Sequence, residues 1–245
     1  MRKVMQALAL AGLAALCGCS HAPGYPPAPL PRPSAVTDFA TLYGQNCAAC
    51  HGANGQNGPA IDFANPEYQA LVDDGSLRKW ISGGMPGTEM PAFAQSQGGM
   101  LTDVQVNAII TGMRREWLRT ASSGGTSMPQ YSQTNAGDAH RGQGVYEKHC
   151  ASCHEKQDQS ITSPVYLALV SDQTLRSVTI AGRPDIGQPD WSHDGPGGNA
   201  ATPLLPEEVD DIVAYLGSLR NPDSKAAGAP VSQLAPQAES GKAEK

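Results

Sequence analysis

The stretch Cys47-Ala48-Ala49-Cys50-His51 returns in the second half of the chain as Cys150-Ala151-Ser152-Cys153-His154. Two thiols three positions apart, with an imidazole directly after them, form the attachment pattern for a c-type haem. The spacing follows from the chemistry. On one helical turn each thiol reaches a vinyl group of the porphyrin, and the next ring falls beneath the iron. Three other readings fit less well. A zinc site needs four ligands, which would have to come from both copies and pull distant segments together. A thioredoxin-like redox pair or a disulfide has no use for a histidine repeated in the same place. The pattern therefore predicts two covalently bound haems c. Cys47, Cys50, Cys150 and Cys153 form the thioethers, and His51 and His154 are the proximal iron ligands.

The likeness between the halves runs beyond the motif. Residues 66–93 read PEYQALVDDGSLRKWISGGMPGTEMPAF and align without a gap with PVYLALVSDQTLRSVTIAGRPDIGQPDW at an offset of 98. The motifs themselves are offset by 103, so the second copy is shorter after its histidine. Pro66 matches Pro164, Leu77-Arg78 matches Leu175-Arg176, Gly84 matches Gly182, and Pro91 matches Pro189. Both copies read as helices joined by long loops. In the first, helices are expected over 38–48, over 76–82 and from Thr102. Gln105 completes a capping box there, and Val106, Ile109, Ile110 and Met113 form the apolar stripe. In the second they are expected over 138–151, 172–181 and 206–219. Pro206 takes the first position, where its missing N–H costs nothing, and Val209, Ile212, Val213 and Leu216 form the stripe. No stretch alternates as a strand, so the expected class is all-α.

The order helix, CXXCH, proline-bearing loop, short helix, Met-Pro loop and terminal helix resembles a class I cytochrome c domain. It occurs twice, over residues 36–120 and 138–221, each copy a small helical fold wrapped around one haem. The whole resembles the two-domain dihaem cytochromes of the cytochrome c4 type. The resemblance implies a tight crossing of first and last helices, often a glycine against an aromatic ring. The second copy fits, with Gly142 and Tyr146 before its motif and Tyr215 on its last helix. The first departs: Phe39 stands at the position of Gly142, and Gly112 at that of Tyr215. An exchange of large and small partners between helices is expected, which keeps the volume of the crossing.

The resemblance also implies the axial ligands. A loop carbonyl near Pro59 should accept the ring N–H of His51. The distal ligand of haem one is the methionine before Pro-Ala-Phe, Met90, with Met85 and Met100 as its competitors. A thioether on the iron favours the reduced state. The residue aligned with Met90 is Gln188, and no methionine follows Met128. Three readings stay open for haem two: the amide oxygen of Gln188, the imidazole of His193, or an open position. Each predicts a lower potential than that of haem one. His140 and His149 read as helix-surface residues, His21 as part of a tether. Trp80, Trp117 and Trp191 read as packing residues near the haems or at helix ends. Arg78 and Arg176, matched in the repeat, pair with haem propionates or lie on solvated faces.

The ends of the chain read as targeting. Arg2 and Lys3 precede a short apolar run over residues 7–16, the pattern of an export signal. Leu16-Cys17-Gly18-Cys19 resembles a bacterial lipobox with cleavage before Cys19, whose thiol would carry lipid. The expected organisation is signal 1–18, proline-rich tether 19–35, linker 121–137 and a disordered tail 222–245. Cysteine use then closes: Cys17 leaves with the signal, Cys19 takes lipid, and four hold haem. The formal charge is −6, and loss of Arg2 and Lys3 leaves 15 basic against 23 acidic residues. An acidic chain argues against nucleic acid and suits docking on a basic patch of a protein. The implied function is single-electron transfer, with no catalytic residue, from a lipid-anchored position in the bacterial periplasm or at the cell surface. Implied redox partners are a quinol-oxidising complex, a terminal oxidase or a periplasmic dehydrogenase. The alternatives are a dihaem peroxidase-like enzyme using an open or weakly ligated haem two, and a fixed cytochrome subunit of a respiratory complex.

Overall fold

The computed structural model describes residues 31–119, 128–155, 161–193 and 203–220. The expected signal, Cys19, His21, most of the tether and the tail from residue 222 lie outside the described residues. The chain divides into two compact units, Met1–Ala35 and Val36–Lys245. In the first, Pro33–Ala35 form a single 3-10 turn.

The second unit holds both copies, and among the described residues each has the same five α-helices. The first has α1 (Phe39–Asn46), α2 (Ala48–His51), α3 (Pro66–Leu71), α4 (Asp74–Gly83) and α5 (Asp103–Trp117). The second has α6 (Ala139–His149), α7 (Ala151–His154), α8 (Pro164–Leu167), α9 (Asp172–Ala181) and α10 (Pro206–Ser218). The all-α expectation holds: among the described residues only two isolated bridges occur, Ala94 with Leu101 and Arg183 with Gln188. The periodicity reading missed α3 and α8, which are too short to show a stripe. Local chemistry starts them. Pro66 and Pro164 open the first turn, and the Asn65 side chain accepts the Glu67 N–H at 2.9 Å.

Caps set the other starts. Asp38 accepts the Thr41 N–H at 2.8 Å, and Asp138 accepts those of His140 and Arg141, both at 2.9 Å. Ahead of α5 the expected box is present: Gln105 N–H donates to Thr102 Oγ1 at 3.3 Å, and Thr102 N–H donates to Gln105 Oε1 at 3.0 Å. Ahead of α10 only half of it exists. Leu205 has no side-chain acceptor, and its N–H donates to Glu208 Oε2 at 2.8 Å.

The two stripes bury as expected. Val106, Ile109, Ile110 and Met113 join Leu42, Tyr43, Leu77 and Ile81 in one core. Val209, Ile212, Val213 and Leu216 join Tyr146, Leu175 and Ile180 in the other. The helix crossings show the exchanged partners. A Cβ at Gly112 would lie 2.1 Å from the Phe39 ring. A Cβ at Gly142 would lie 1.9 Å from the Asp211 carbonyl oxygen and 2.9 Å from Tyr215 Cβ. Large and small have traded helices, and neither crossing has room for a side chain at its glycine.

Residues 128–131 of the expected linker are packed. Tyr131 is buried in the first core and Met128 packs on the second. Arg176 Nε–H donates to the Gln130 carbonyl at 2.9 Å, and its guanidinium forms a buried ion pair with Asp210 on α10. Its repeat partner Arg78 bonds Asn107 at the surface. The propionate reading of these arginines is therefore corrected for Arg176, whose buried charge is matched by Asp210 as low-dielectric burial requires.

Candidate haem-binding sites

The two motif turns are geometrically the same. Cys47 N–H donates to Tyr43 O at 2.8 Å, Cys50 N–H to Cys47 O at 3.2 Å, and His51 N–H to Cys47 O at 3.0 Å. The matching bonds at Cys150, Cys153 and His154 measure 2.8, 3.2 and 3.0 Å. Positions i, i+3 and i+4 of one turn share a face, so each turn presents two thiols and an imidazole together. None of the four described cysteines forms a disulfide. Cys47 packs on the first core, and burial, then the neighbouring Cys50, push its thiol up to about 12, so it stays neutral.

His51 is fixed from the far side of its ring. Nδ1–H donates to the Ile61 carbonyl at 2.9 Å, which leaves Nε2 with its lone pair. Burial, with a smaller contribution from Arg183, lowers the ring to about 4 and keeps it neutral. A neutral imidazole held at Nδ1 by a carbonyl is the usual state of a metal-ligating histidine. The acceptor lies two residues past Pro59, as the resemblance implied in outline. The Phe63 ring stacks on His51 at 3.8 Å between centroids, and Trp117 closes an aromatic group with Phe39 and Tyr43.

The loops that follow α4 and α9 open in the same way. Gly84 and Gly182 have φ of 71° and 70°, a conformation that favours glycine. Met85 N–H donates to Met90 O at 3.0 Å, and Arg183 N–H to Gln188 O at 3.0 Å. Met90 and Gln188 are thus equivalent in the loop frame, as are Met85 and Arg183. Beyond that bond the register slips: Phe93 N–H donates to Ile81 O at 3.1 Å, whereas Trp191 N–H reaches Ile180 O, one position later in its helix, at 3.0 Å.

The three methionines separate on environment. The Met85 sulfur accepts hydroxyls from Ser171 at 3.0 Å and Thr174 at 3.3 Å, both from the second copy. Met100 is 79% exposed. Met90 packs against the first core. In the second copy Gln188 Nε2 donates to Val178 O at 3.2 Å, leaving its amide oxygen. His193 Nδ1 lies 3.0 Å from both carboxylate oxygens of Asp190 and 2.9 Å from Ser192 Oγ. Its imidazole is 42% exposed, and residues 194–202 after it lie outside the described residues. Of the remaining histidines His140 is exposed and His149 half-buried.

The residues fit a haem. In the first copy the Tyr43 hydroxyl donates to Gly52 O at 2.8 Å. In the second, Glu155 replaces Gly52 with φ of −84° instead of 79°. Among the described residues, the buried Tyr146 hydroxyl and Trp191 Nε1–H have no acceptor. A group carrying carboxylates, as the haem propionates do, would satisfy such donors. Sequence reasoning missed Asp62, Arg183 and Asp185. The signal that could have found Arg183 is its alignment with Met85, a charge opposite a thioether.

Residues 34–113 match the family model described as cytochrome c oxidase, cbb3-type, subunit III, and residues 139–220 match that of cytochrome c. Both halves are class I cytochrome c domains. Each CXXCH motif falls inside its matched range, and domains of this family hold haem c through thioether bonds. The cytochrome is 28% identical over 178 residues to the cbb3-type cytochrome c oxidase subunit CcoP of Azospirillum sp. (strain B510), covering 66% of this chain and 48% of that protein. It is 28% identical over 135 residues to the CcoP subunit of Azospirillum brasilense, covering 49% and 39%. The chain thus spans about half the length, or less, of these curated relatives. A solved structure titled dihydro-heme d1 dehydrogenase NirN in complex with DHE is 27% identical, covers 39% of this chain and 18% of that one, and has a TM-score of 0.28.

Proposed function

We propose that this cytochrome binds two haems c and passes single electrons. Cys47, Cys50, His51 and Met90 hold the first, and Cys150, Cys153 and His154 the second. The observation that carries the reading is the state of His51: neutral, fixed at Nδ1 by Ile61, with Nε2 left to the iron. Bound haem supplies the one-electron couple. The chain holds it, sets its ligands and keeps water from one face. Met90 favours the reduced state of haem one, whereas Gln188, His193 or an open position leaves haem two at a lower potential. Electrons then run from the second haem to the first.

The likeness to CcoP supports a terminal oxidase complex as the acceptor, with the cytochrome as its donor or its subunit. A quinol-oxidising complex or a periplasmic dehydrogenase would supply the electrons. Lipid on Cys19 would keep the protein at a membrane, facing the periplasm or the cell exterior. The test is a redox titration followed by optical spectra. Two one-electron steps are expected, and Met90→Ala should lower only the higher one and abolish the methionine–iron band. A band that survives Met90→Ala rules out the assignment.

A second reading rests on His193. Unligated, His193 and Asp190 form an imidazole–carboxylate pair on the loop assigned to the distal side, which is what a peroxidase-like acid–base step requires. Peroxide turnover abolished by His193→Ala would establish it. Low-spin iron in both domains, inert to peroxide and carbon monoxide, removes it.

A further inference from the structure

The repeat places Met85 and Arg183 at one position, and each side chain engages the opposite domain. Met85 ends between Ser171 and Thr174. Arg183 ends in the loop that holds the proximal histidine of the first domain, where its Nη2–H donates to Gly58 O at 2.8 Å. The same guanidinium forks onto Asp185, Nε to Oδ1 at 2.9 Å and Nη2 to Oδ2 at 2.8 Å. Asp185 in turn accepts the Asn57 N–H at 2.9 Å. Asn57 is left-handed, φ 61°, the one such non-glycine residue among those described; asparagine tolerates this conformation where most side chains do not.

The other edge of the loop touches the haem motif. Ala60 N–H donates to Cys50 O at 3.0 Å, and Ile61 O receives the His51 ring. Asp62 follows, 3% exposed. Its carboxyl is pushed up by burial and by Asp185, and Arg183 opposes this. The guanidinium thus carries its charge between Asp185 and the loop that holds His51, with its own side chain 9% exposed. Charges in such a place are weakly screened and act strongly on their neighbours.

We propose that Arg183 is a positioning residue for the proximal ligand of haem one, through which the second domain sets the potential of the first. It rests on the reading of His51 as an iron ligand. The guanidinium holds the Gly58 carbonyl while Asp185 holds the Asn57 amide, so Ile61 O stays on His51. Its positive charge favours the reduced iron, which carries one positive charge fewer than the oxidised iron. Asp185 and Asp62 favour the oxidised iron.

The full haem-loaded chain tests this with Arg183→Gln and Asp185→Asn, read by the midpoint potential of the methionine-ligated haem. Arg183→Gln should shift it down. Asp185→Asn should shift it up, because the amide oxygen of the introduced side chain still receives the Asn57 N–H while the negative charge is gone. A merely structural role, in which loosened docking is all that changes, would move both variants in one direction. Shifts of one sign, or no shift in either, overturn the proposal. If Arg183→Gln fails to fold, Asp185→Asn decides alone: a raised potential supports the proposal and an unmoved one overturns it. Amide exchange at Asn57, which needs no haem signal, should accelerate in Arg183→Gln; unchanged exchange overturns the positioning role. A His51→Ala variant with an unaltered haem one spectrum would instead remove the underlying ligand assignment.

Discussion

The two domains agree on the proximal side to a tenth of an ångström in their motif turns, and disagree wherever a side chain leaves that frame. The opening glycine and the hydrogen bond that spans it are common to both distal loops, while the side chains they carry differ. At one loop position methionine faces glutamine, which separates the iron environments. At another, methionine faces arginine, which separates what each domain sends into its neighbour. At the helix crossing the partners have been exchanged outright. A duplicated backbone thus carries two chemistries, because the constraints that preserve the shape involve few of the side chains that do the chemistry.

The largest expected effects test the proximal equivalence. His51→Ala and His154→Ala should each eliminate the signal of one haem, and only the first should abolish the methionine–iron band in optical spectra. Loss of that band in His154→Ala would reverse the assignment of the two sites. Next comes the crossing. Gly142→Ala should cost about 3 kcal/mol in denaturant unfolding, at the upper end for overpacking, because the new Cβ meets the Asp211 backbone. Gly112→Ala should cost less, since it meets the Phe39 ring, and Phe39→Ala should restore part of the loss. Equal, unrescued losses would mean that the exchange of partners carries no packing consequence.

Met85→Ala should destabilise by about 2 kcal/mol as a truncated buried methionine, with the loss read as weaker association of the domains. Asp185 gives a pH-dependent contrast. Its carboxyl is held below its ordinary value of 3.8, chiefly by the Arg183 side chain. A lowered carboxylate adds stability that is fully present above its unfolded value and is lost as pH falls through its folded one. The stability advantage of the native chain over Asp185→Asn, followed by thermal unfolding, should therefore shrink below pH 3.8. A constant difference would show that the ion pair contributes nothing. The smallest contrast concerns the last helices. Thr102→Ala breaks a reciprocal box and should cost about 1 kcal/mol. Glu208→Ala breaks only half of one and should cost about half as much.

The proximal chemistry was legible in the sequence by itself because its parts are contiguous. Thiols and imidazole lie on one turn, and the caps at Asp38, Thr102 and Asp138 act within three residues. The gapless repeat also brought out the pairing of Met90 with Gln188, and the motif offset of 103 the exchange of Phe39 and Gly112. Helices α3 and α8 escaped because four to six residues carry no measurable period. Tertiary structure alone decided which methionine the second domain claims, which carbonyl fixes His51, and why two aligned arginines part company. Arg176 finds Asp210 within reach while Arg78 finds only Asn107. Arg183 and Gly58 stand 125 residues apart. No local rule joins such a pair: the packing of α3 against α9 brings it together, and burial then makes its charge count.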